Sequence, residues 1–194
     1  MPKVRSTTSR ARPPKPSTEP QVARALNVLG AILAGGQARR FGSDKAHALF
    51  DGVRLIDRVA DALGSQSQAL IVCGREEPGF GCLPDQPEPG LGPLGGLNAA
   101  LQFAETHGFA HVMSCGVDAP NLPPDLALRL SGDGAAIVAD QPTVGWWPVH
   151  HAADLVEFVA SGGRALYGFA DVVDARRITL DPPLLNVNRP EDLK

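Results

Sequence analysis

Thirteen residues hold the densest chemistry in the chain, Leu33-Ala34-Gly35-Gly36-Gln37-Ala38-Arg39-Arg40-Phe41-Gly42-Ser43-Asp44-Lys45. Glycines leave backbone N–H groups free to approach an anion, and Arg40 and Lys45 supply charge to hold it. The spacing matches neither familiar phosphate loop. A P-loop places four residues between its glycines and a lysine straight after the second. Here Gly36 and Gly42 bracket five, and Lys45 follows three later. The dinucleotide pattern G-x-G-x-x-G is absent. What is left is a polyphosphate loop of another design, with Gly35 and Gly36 admitting the phosphate and Arg40 and Lys45 on its oxygens.

Other polar residues suit the same ligand. Asp118 follows an apolar run directly. A polyphosphate normally arrives with Mg²⁺, which binds through one or two carboxylates plus phosphate oxygens, so Asp118 is the candidate metal ligand. A carboxylate in that place also serves as a turn former or helix cap. Asp85 stands in a stretch rich in Pro and Gly, where it could contact ribose or base or be solvated. Asn186 and Asn188 alternate, so an extended backbone turns both amides to one side, to grip a substrate or to cap the turn before Pro190. His47 lies beside the loop and is a further candidate for substrate contact. Cys73, Cys82 and Cys115 fit no zinc or redox spacing and read as buried thiols of a reducing compartment.

These residues need a scaffold that brings them together. Leu26 to Leu33 is nearly continuous in apolar character, as a strand buried on both faces should be. Helical spacing marks Arg54 to Leu63, and Ala69 to Cys73 is a second strand. Residues 74–96 read as a long loop, followed by a helix over Leu97–Thr106 and a strand over Phe109–Cys115. Beyond Asp118 the pattern gives a helix at Asp125–Leu130, a strand at Ala135–Ala139 and another at Trp146–Val149, antiparallel at the sheet edge. Helices at Ala152–Ala160 and Arg164–Phe169 follow, then strands at Val172–Val173 and Ile178–Leu180, and a last helix opened by Pro190. This alternation predicts an α/β fold, a three-layer sandwich around a mostly parallel, Rossmann-like sheet. The glycine loop and Asp118 then lie at strand carboxyl ends, on one rim, where such sheets bind ligands.

With 194 residues the chain fits one domain, which hides roughly 70% of its unfolded surface. The net charge of −3 is unevenly spread. Lys3, Arg5, Arg10, Arg12, Lys15 and Arg24 face Glu19 alone, which puts residues 1–26 at +5 and the remainder at −8. Residues 1–25, rich in Pro, Ser and Arg, read as a disordered basic tail ahead of one folded domain at 26–194. An acidic body excludes general nucleic-acid binding. No run approaches the ~20 apolar residues of a membrane span, and the tail lacks the apolar core of a signal peptide, so a cytoplasmic protein is expected.

In order along the chain, Leu33-Ala34-Gly35-Gly36 with Arg40-Phe41-Gly42 and Asp44-Lys45, then Gly92-Pro93-Leu94 with Gly96, then Asp118-Ala119-Pro120 and Pro123-Pro124-Asp125-Leu126, and finally Asn186-Val187-Asn188 with Pro190-Glu191-Asp192-Leu193 resemble the molybdenum cofactor guanylyltransferases of the MobA type. The resemblance runs from about Leu29 to Leu193. It implies the nucleotide-diphospho-sugar transferase type of α/β fold, and transfer of GMP from GTP to the terminal phosphate of molybdenum-carrying molybdopterin, with release of pyrophosphate. It also implies that Leu33, Ala34, Gly35 and Lys45 bind GTP, that Asp118 binds GTP and Mg²⁺, that Asp85 contacts the nucleotide, and that Asn186 and Asn188 lie on the molybdopterin side. Molybdoenzymes or their chaperones would be transient partners. Cys73 stands where the family can carry an asparagine, and the basic tail has no family counterpart. Transfer of CMP, a guanylyl transfer to another phosphorylated acceptor, or a non-catalytic carrier of pterin or GTP are the alternatives.

Overall fold

The apolar run that precedes the glycine loop folds as β1, Val28–Leu33, and every one of its residues is buried. Alternation along it feeds two cores. Val28 and Ile32 pack with Ile56, Val59 and Leu63 of α1, Leu55–Gly64. Leu29, Ala31 and Leu33 pack on the other face, against Leu94, Leu97 and Leu101 of α2, Pro93–Thr106. A strand buried on both faces belongs at the centre of a sheet covered by helices. The computed structural model describes residues 27–35 and 44–193. The expected tail, Leu26 at the expected start of the first strand, Gly36 and Arg40 lie outside the described residues.

A small hairpin, β2 (Leu49–Phe50) and β3 (Val53–Arg54), leads into α1. The main sheet adds β4 (Ala69–Cys73), β5 (Gly81–Leu83), β6 (His111–Gly116), β7 (Ala136–Val138), β8 (Gln141–Pro148) and β9 (Arg176–Ile178) to β1. Their order is β5-β4-β1-β6-β8-β7-β9, and only β8 runs against its neighbours. On one face, α1 is joined by α3, Leu126–Leu130. On the other, α2 is joined by α4, Ala152–Ala160, and α5, Leu166–Val172. The adjacent Trp146 and Trp147 show the sheet's two sides, the first buried with α1 and α3, the second stacked on Phe169 of α5 at 5.5 Å. The three-layer α/β architecture with a mostly parallel sheet is as the sequence predicts.

Five local features differ from these expectations. Residues 74–96 are not loop throughout, because Gly81–Leu83 pairs in parallel with Ile71–Cys73 as a short edge strand. The second helix begins at Pro93, not Leu97, since proline suits the first turn while Gly95 and Gly96, poor helix formers, disguise it in the sequence. The antiparallel strand is eight residues long and sits inside the sheet between β6 and β7, not at its edge. Val172 and Val173 end a helix and form no strand, and the final helix is a single 3₁₀ turn at Pro190–Leu193.

Candidate active site

Register sets the site. In the parallel ladder Leu33 lies level with Cys73 and with Gly116, and Cys73 lies level with Leu83. Four chain segments therefore leave the sheet at one height: Ala34-Gly35, Gly74-Arg75, Pro84-Asp85 and Val117-Asp118. Ala34 N–H donates to the Cys73 carbonyl at 2.9 Å, and Gly74 N–H to that of Leu83 at 2.8 Å, so the ladder continues one step into the loops.

Glycine is required where these loops meet. A Cβ on Gly35 would stand 2.8 Å from Asp85 Oδ2 and 3.1 Å from the Gly74 Cα. Gly74 has φ +87°, and a Cβ there would collide with the Gly35 Cα. Into this corner Asp85 places a carboxylate that is 8% exposed, with Oδ1 lacking a partner. Burial pushes its pKa above the ordinary carboxylate value. The backbone beyond it is pinned by Gln86 N–H to the Gly95 carbonyl, 3.1 Å, and by Asn98 Nδ2 to the Gln86 carbonyl, 3.2 Å. Cys73 lies alongside, wholly buried, and its thiol is pushed up to about 12, chiefly by burial with the nearby Asp85 adding to it. It is an inert wall and not a nucleophile.

Lys45 opens a 3₁₀ turn, Lys45–His47, capped by Asp44, whose Oδ1 accepts from Ala46 N–H at 3.1 Å. The lysine ammonium lies 3.5 Å from Asp118 Oδ2 and donates to Asn188 Oδ1 at 3.2 Å. Asn188 Nδ2 donates to Asn186 Oδ1 at 2.7 Å, so both amides share one side, as their alternation predicts. Val187 between them turns inward, 1% exposed, against Leu55, while its N–H donates to the Asp118 carbonyl at 2.9 Å. The terminal turn is held by Asp192 Oδ2, which accepts from the N–H groups of Asn188 and Arg189, each at 2.8 Å. Lys45, Asp118, Asn186 and Asn188 thus meet at one point, although 143 residues separate the lysine from Asn188. Leu33, Ala34, Gly35 and Asp85 line the adjoining part of the rim.

Asp118 Oδ1 is buried without a partner, while its other oxygen faces Lys45. One free carboxylate oxygen beside a cation suits a metal that takes most of its remaining ligands from phosphate and water. Among the described residues no group of three or more His, Cys, Asp or Glu side chains could cage a metal by itself. His47 does not face this point. Its Nε2 meets Glu77 Oε2 at 2.9 Å and its Nδ1 lies 3.5 Å from Asp44.

Sequence reasoning passed over Arg75, Glu77, Asn121 and Gln141. Arg75 forks onto Asp44 with two 2.7 Å bonds, and Glu77 is buried among Arg54, Arg75 and His47. The usable signal was the run of charges Arg75-Glu76-Glu77 straight after a strand-ending glycine. Asn121 and Gln141 hold residues 183–185 through backbone groups, and nothing in their local sequence marks them.

Similarity to known proteins follows the same span. The family described as MobA-like NTP transferase domain matches residues 30–175. A molybdenum cofactor guanylyltransferase of Cereibacter sphaeroides is 37% identical over 182 residues, covering 87% of this chain and 94% of its own length. That of Rhodobacter capsulatus is 36% identical over 179 residues with the same coverage. Among solved structures, molybdopterin-guanine dinucleotide biosynthesis protein A of Archaeoglobus fulgidus superimposes with a TM-score of 0.69 at 21% identity, over 85% of this chain and 94% of that one. The 2-C-methyl-D-erythritol 4-phosphate cytidylyltransferase of Thermus thermophilus gives 0.66 at 16% identity, over 84% and 94%. At such identities these two show a shared fold.

Proposed function

The chain belongs to the MobA-like NTP transferase family, and from that premise we propose that it is a nucleotidyltransferase joining GMP from GTP to the terminal phosphate of molybdenum-carrying molybdopterin. The observation that carries this reading is the Lys45 ammonium standing between Asp118 and Asn188. It spans the nucleotide side of the rim and the segment assigned to the acceptor.

In the reaction an oxygen of the acceptor's terminal phosphate forms a bond to the α-phosphorus of GTP, and the bond from that phosphorus to the bridging oxygen breaks, releasing pyrophosphate. The nucleophile is already an anion, so positioning and charge neutralisation carry most of the catalysis. Leu33, Ala34, Gly35 and Gly36 bind the nucleotide, the two glycines letting the protein backbone approach its phosphates. Lys45, with Arg40, offsets charge building on the α-phosphoryl group and on the departing pyrophosphate. Asn186 and Asn188 hold the acceptor. The Asp85 carboxylate accepts from the N1–H and N2–H₂ donors of guanine, whereas cytosine would turn an acceptor towards it. Mg²⁺ on the free oxygen of Asp118 would supply Lewis-acid neutralisation of the phosphates. Cytoplasmic location and transient contact with molybdoenzymes or their chaperones belong to the same reading. Among the described residues no helix is long and apolar enough to cross a membrane.

A pyrophosphate-release assay with molybdenum-loaded molybdopterin and either GTP or CTP tests it. GTP should be the better donor, and Asp118→Ala should lower turnover on the order of 10²-fold or more. Preference for CTP would overturn the guanine reading, and wild-type turnover in Asp118→Ala would remove the metal from that carboxylate.

A further inference from the structure

Four residues beyond the end of β4, the Glu77 side chain has no solvent exposure. Its Oε1 accepts from Arg54 Nη1 at 3.0 Å and lies 3.1 Å from His47 Nε2. Its Oε2 lies 2.9 Å from the same nitrogen and 3.4 Å from Arg75 Nη2. Burying a carboxylate among cations is not an economical way to stabilise a fold, since well-packed apolar residues often do as well. What these contacts do is tie together the loop after β4, the entry to α1 and the turn that carries Lys45.

The tie runs on to the site. Arg75 holds Glu77 with one nitrogen and grips both oxygens of Asp44 at 2.7 Å. That partner keeps the Asp44 carboxyl below its ordinary pKa. Asp44 in turn fixes the 3₁₀ turn from both ends of its first step, with Oδ1 on Ala46 N–H and its carbonyl on His47 N–H, both at 3.1 Å. Lys45 is the residue between. A lysine is a point charge on a flexible stem, and its aim is set by its backbone. A displacement of about 1 Å in a transfer site can cost on the order of 10²-fold.

We propose that Glu77 is a positioning residue for the phosphate site, acting through Arg75 and Asp44 to fix the turn that aims the Lys45 ammonium at a bound polyphosphate. The inference rests on the nucleotidyl-transfer reading for the role of Lys45, but its test needs neither base nor acceptor.

The test is a double-mutant cycle read by calorimetric titration with inorganic tripolyphosphate in Mg²⁺ buffer, using the full chain, with thermal melts alongside. Lys45→Ala should weaken tripolyphosphate binding by roughly 10- to 100-fold and Glu77→Gln by about tenfold, and the double variant should bind within about twofold of Lys45→Ala alone, since residues acting through one another are not additive. Arg75→Ala breaks the relay while Arg54 and His47 still hold Glu77, so it should show the same coupling with a folded, cooperative melt at a modestly lower temperature, and it decides the matter if Glu77→Gln does not fold. Losses that multiply in the double variant, or wild-type affinity in Glu77→Gln or Arg75→Ala, would overturn the proposal. Failure of the guanylyl reading shows separately, as absence of pyrophosphate release from GTP by the wild-type chain.

Discussion

On the side of Lys45 towards Asp44 and the loop after β4, the backbone is held by charge. Glu77 binds Arg54, Arg75 and His47, Arg75 grips Asp44, and Arg54 forks onto Asp57 with bonds of 2.7 and 2.8 Å. On the other side, residues 183–187 are held mainly by neutral groups, and charge enters only at Asn188, through Lys45 and Asp192, among the described contacts. Asn121 Oδ1 accepts from Leu185 N–H at 2.8 Å and its Nδ2 donates to the Pro183 carbonyl at 3.4 Å. Gln141 Nε2 donates to the Leu185 carbonyl at 2.9 Å, and Val187 N–H to that of Asp118. Charge-assisted bonds are roughly twice as strong as neutral ones, and they sit where a tetra-anionic ligand would pull hardest on the chain. Asn121 and Gln141 fix residues 183–185 without placing a charge beside Lys45 or Asp118. The two halves are built for different loads, one electrostatic and one of shape.

The comparison breaks most visibly at Lys45 itself. Lys45→Met removes the charge and keeps much of the stem, and turnover should fall on the order of 10²-fold while the acceptor KM changes little. If the acceptor KM rose as much as kcat fell, Lys45 would belong to the acceptor half and the division would be misdrawn.

A smaller effect is expected from the neutral half. Asn121→Ala removes two hydrogen bonds, worth about 0.5–1.5 kcal/mol each, and frees the segment bearing Asn186 and Asn188. Steady-state kinetics should show a rise of roughly 3- to 10-fold in acceptor KM, with the GTP KM unchanged. Equal changes in both would mean that the segment orders the whole rim.

The two halves also differ in how far the sequence disclosed them. Lys45, Asp118, Asp85, Asn186 and Asn188 stand at strand ends or in short motifs, so local pattern and the parallel register suffice to bring them to one rim. The order of elements gave the α/β layers for the same reason: β1 and β4 are unbroken apolar runs. The supports were hidden because their meaning is entirely tertiary. Glu77 reads as a solvated loop charge until Arg54 and His47, 23 and 30 residues away, close over it. Asn121 and Leu185 are 64 residues apart, and an amide in a proline-rich loop carries no local mark of its partner. The burial of β8 inside the sheet was masked in the same way, because an antiparallel strand between two parallel-running neighbours depends on chain order and not on composition.

Asp85 is the exception within the charged half, and it offers the finest cut. Its carboxylate is buried, yet Oδ1 has no partner and burial alone raises its pKa. A raised folded-state value means that the folded chain holds this proton more tightly than the unfolded chain, whose aspartates titrate near 3.9. Stability from this group is therefore present at acid pH and lost as pH rises through the folded value, opposite in sign to Asp44, whose lowered pKa contributes above the unfolded value and is lost in acid. Asp85→Asn removes the buried charge. It should stabilise the free protein at pH 7, read as a rise in Tm, while erasing the preference for GTP over CTP. The gain should shrink as pH falls and vanish below about pH 3, where the wild-type carboxyl is neutral in both states. Thermal melts of the two proteins across this range decide it: a gain that persists in acid, or a loss at pH 7, would show that the carboxylate supports the Gly35 and Gly74 corner instead of waiting, under strain of desolvation, for a ligand with hydrogen to donate.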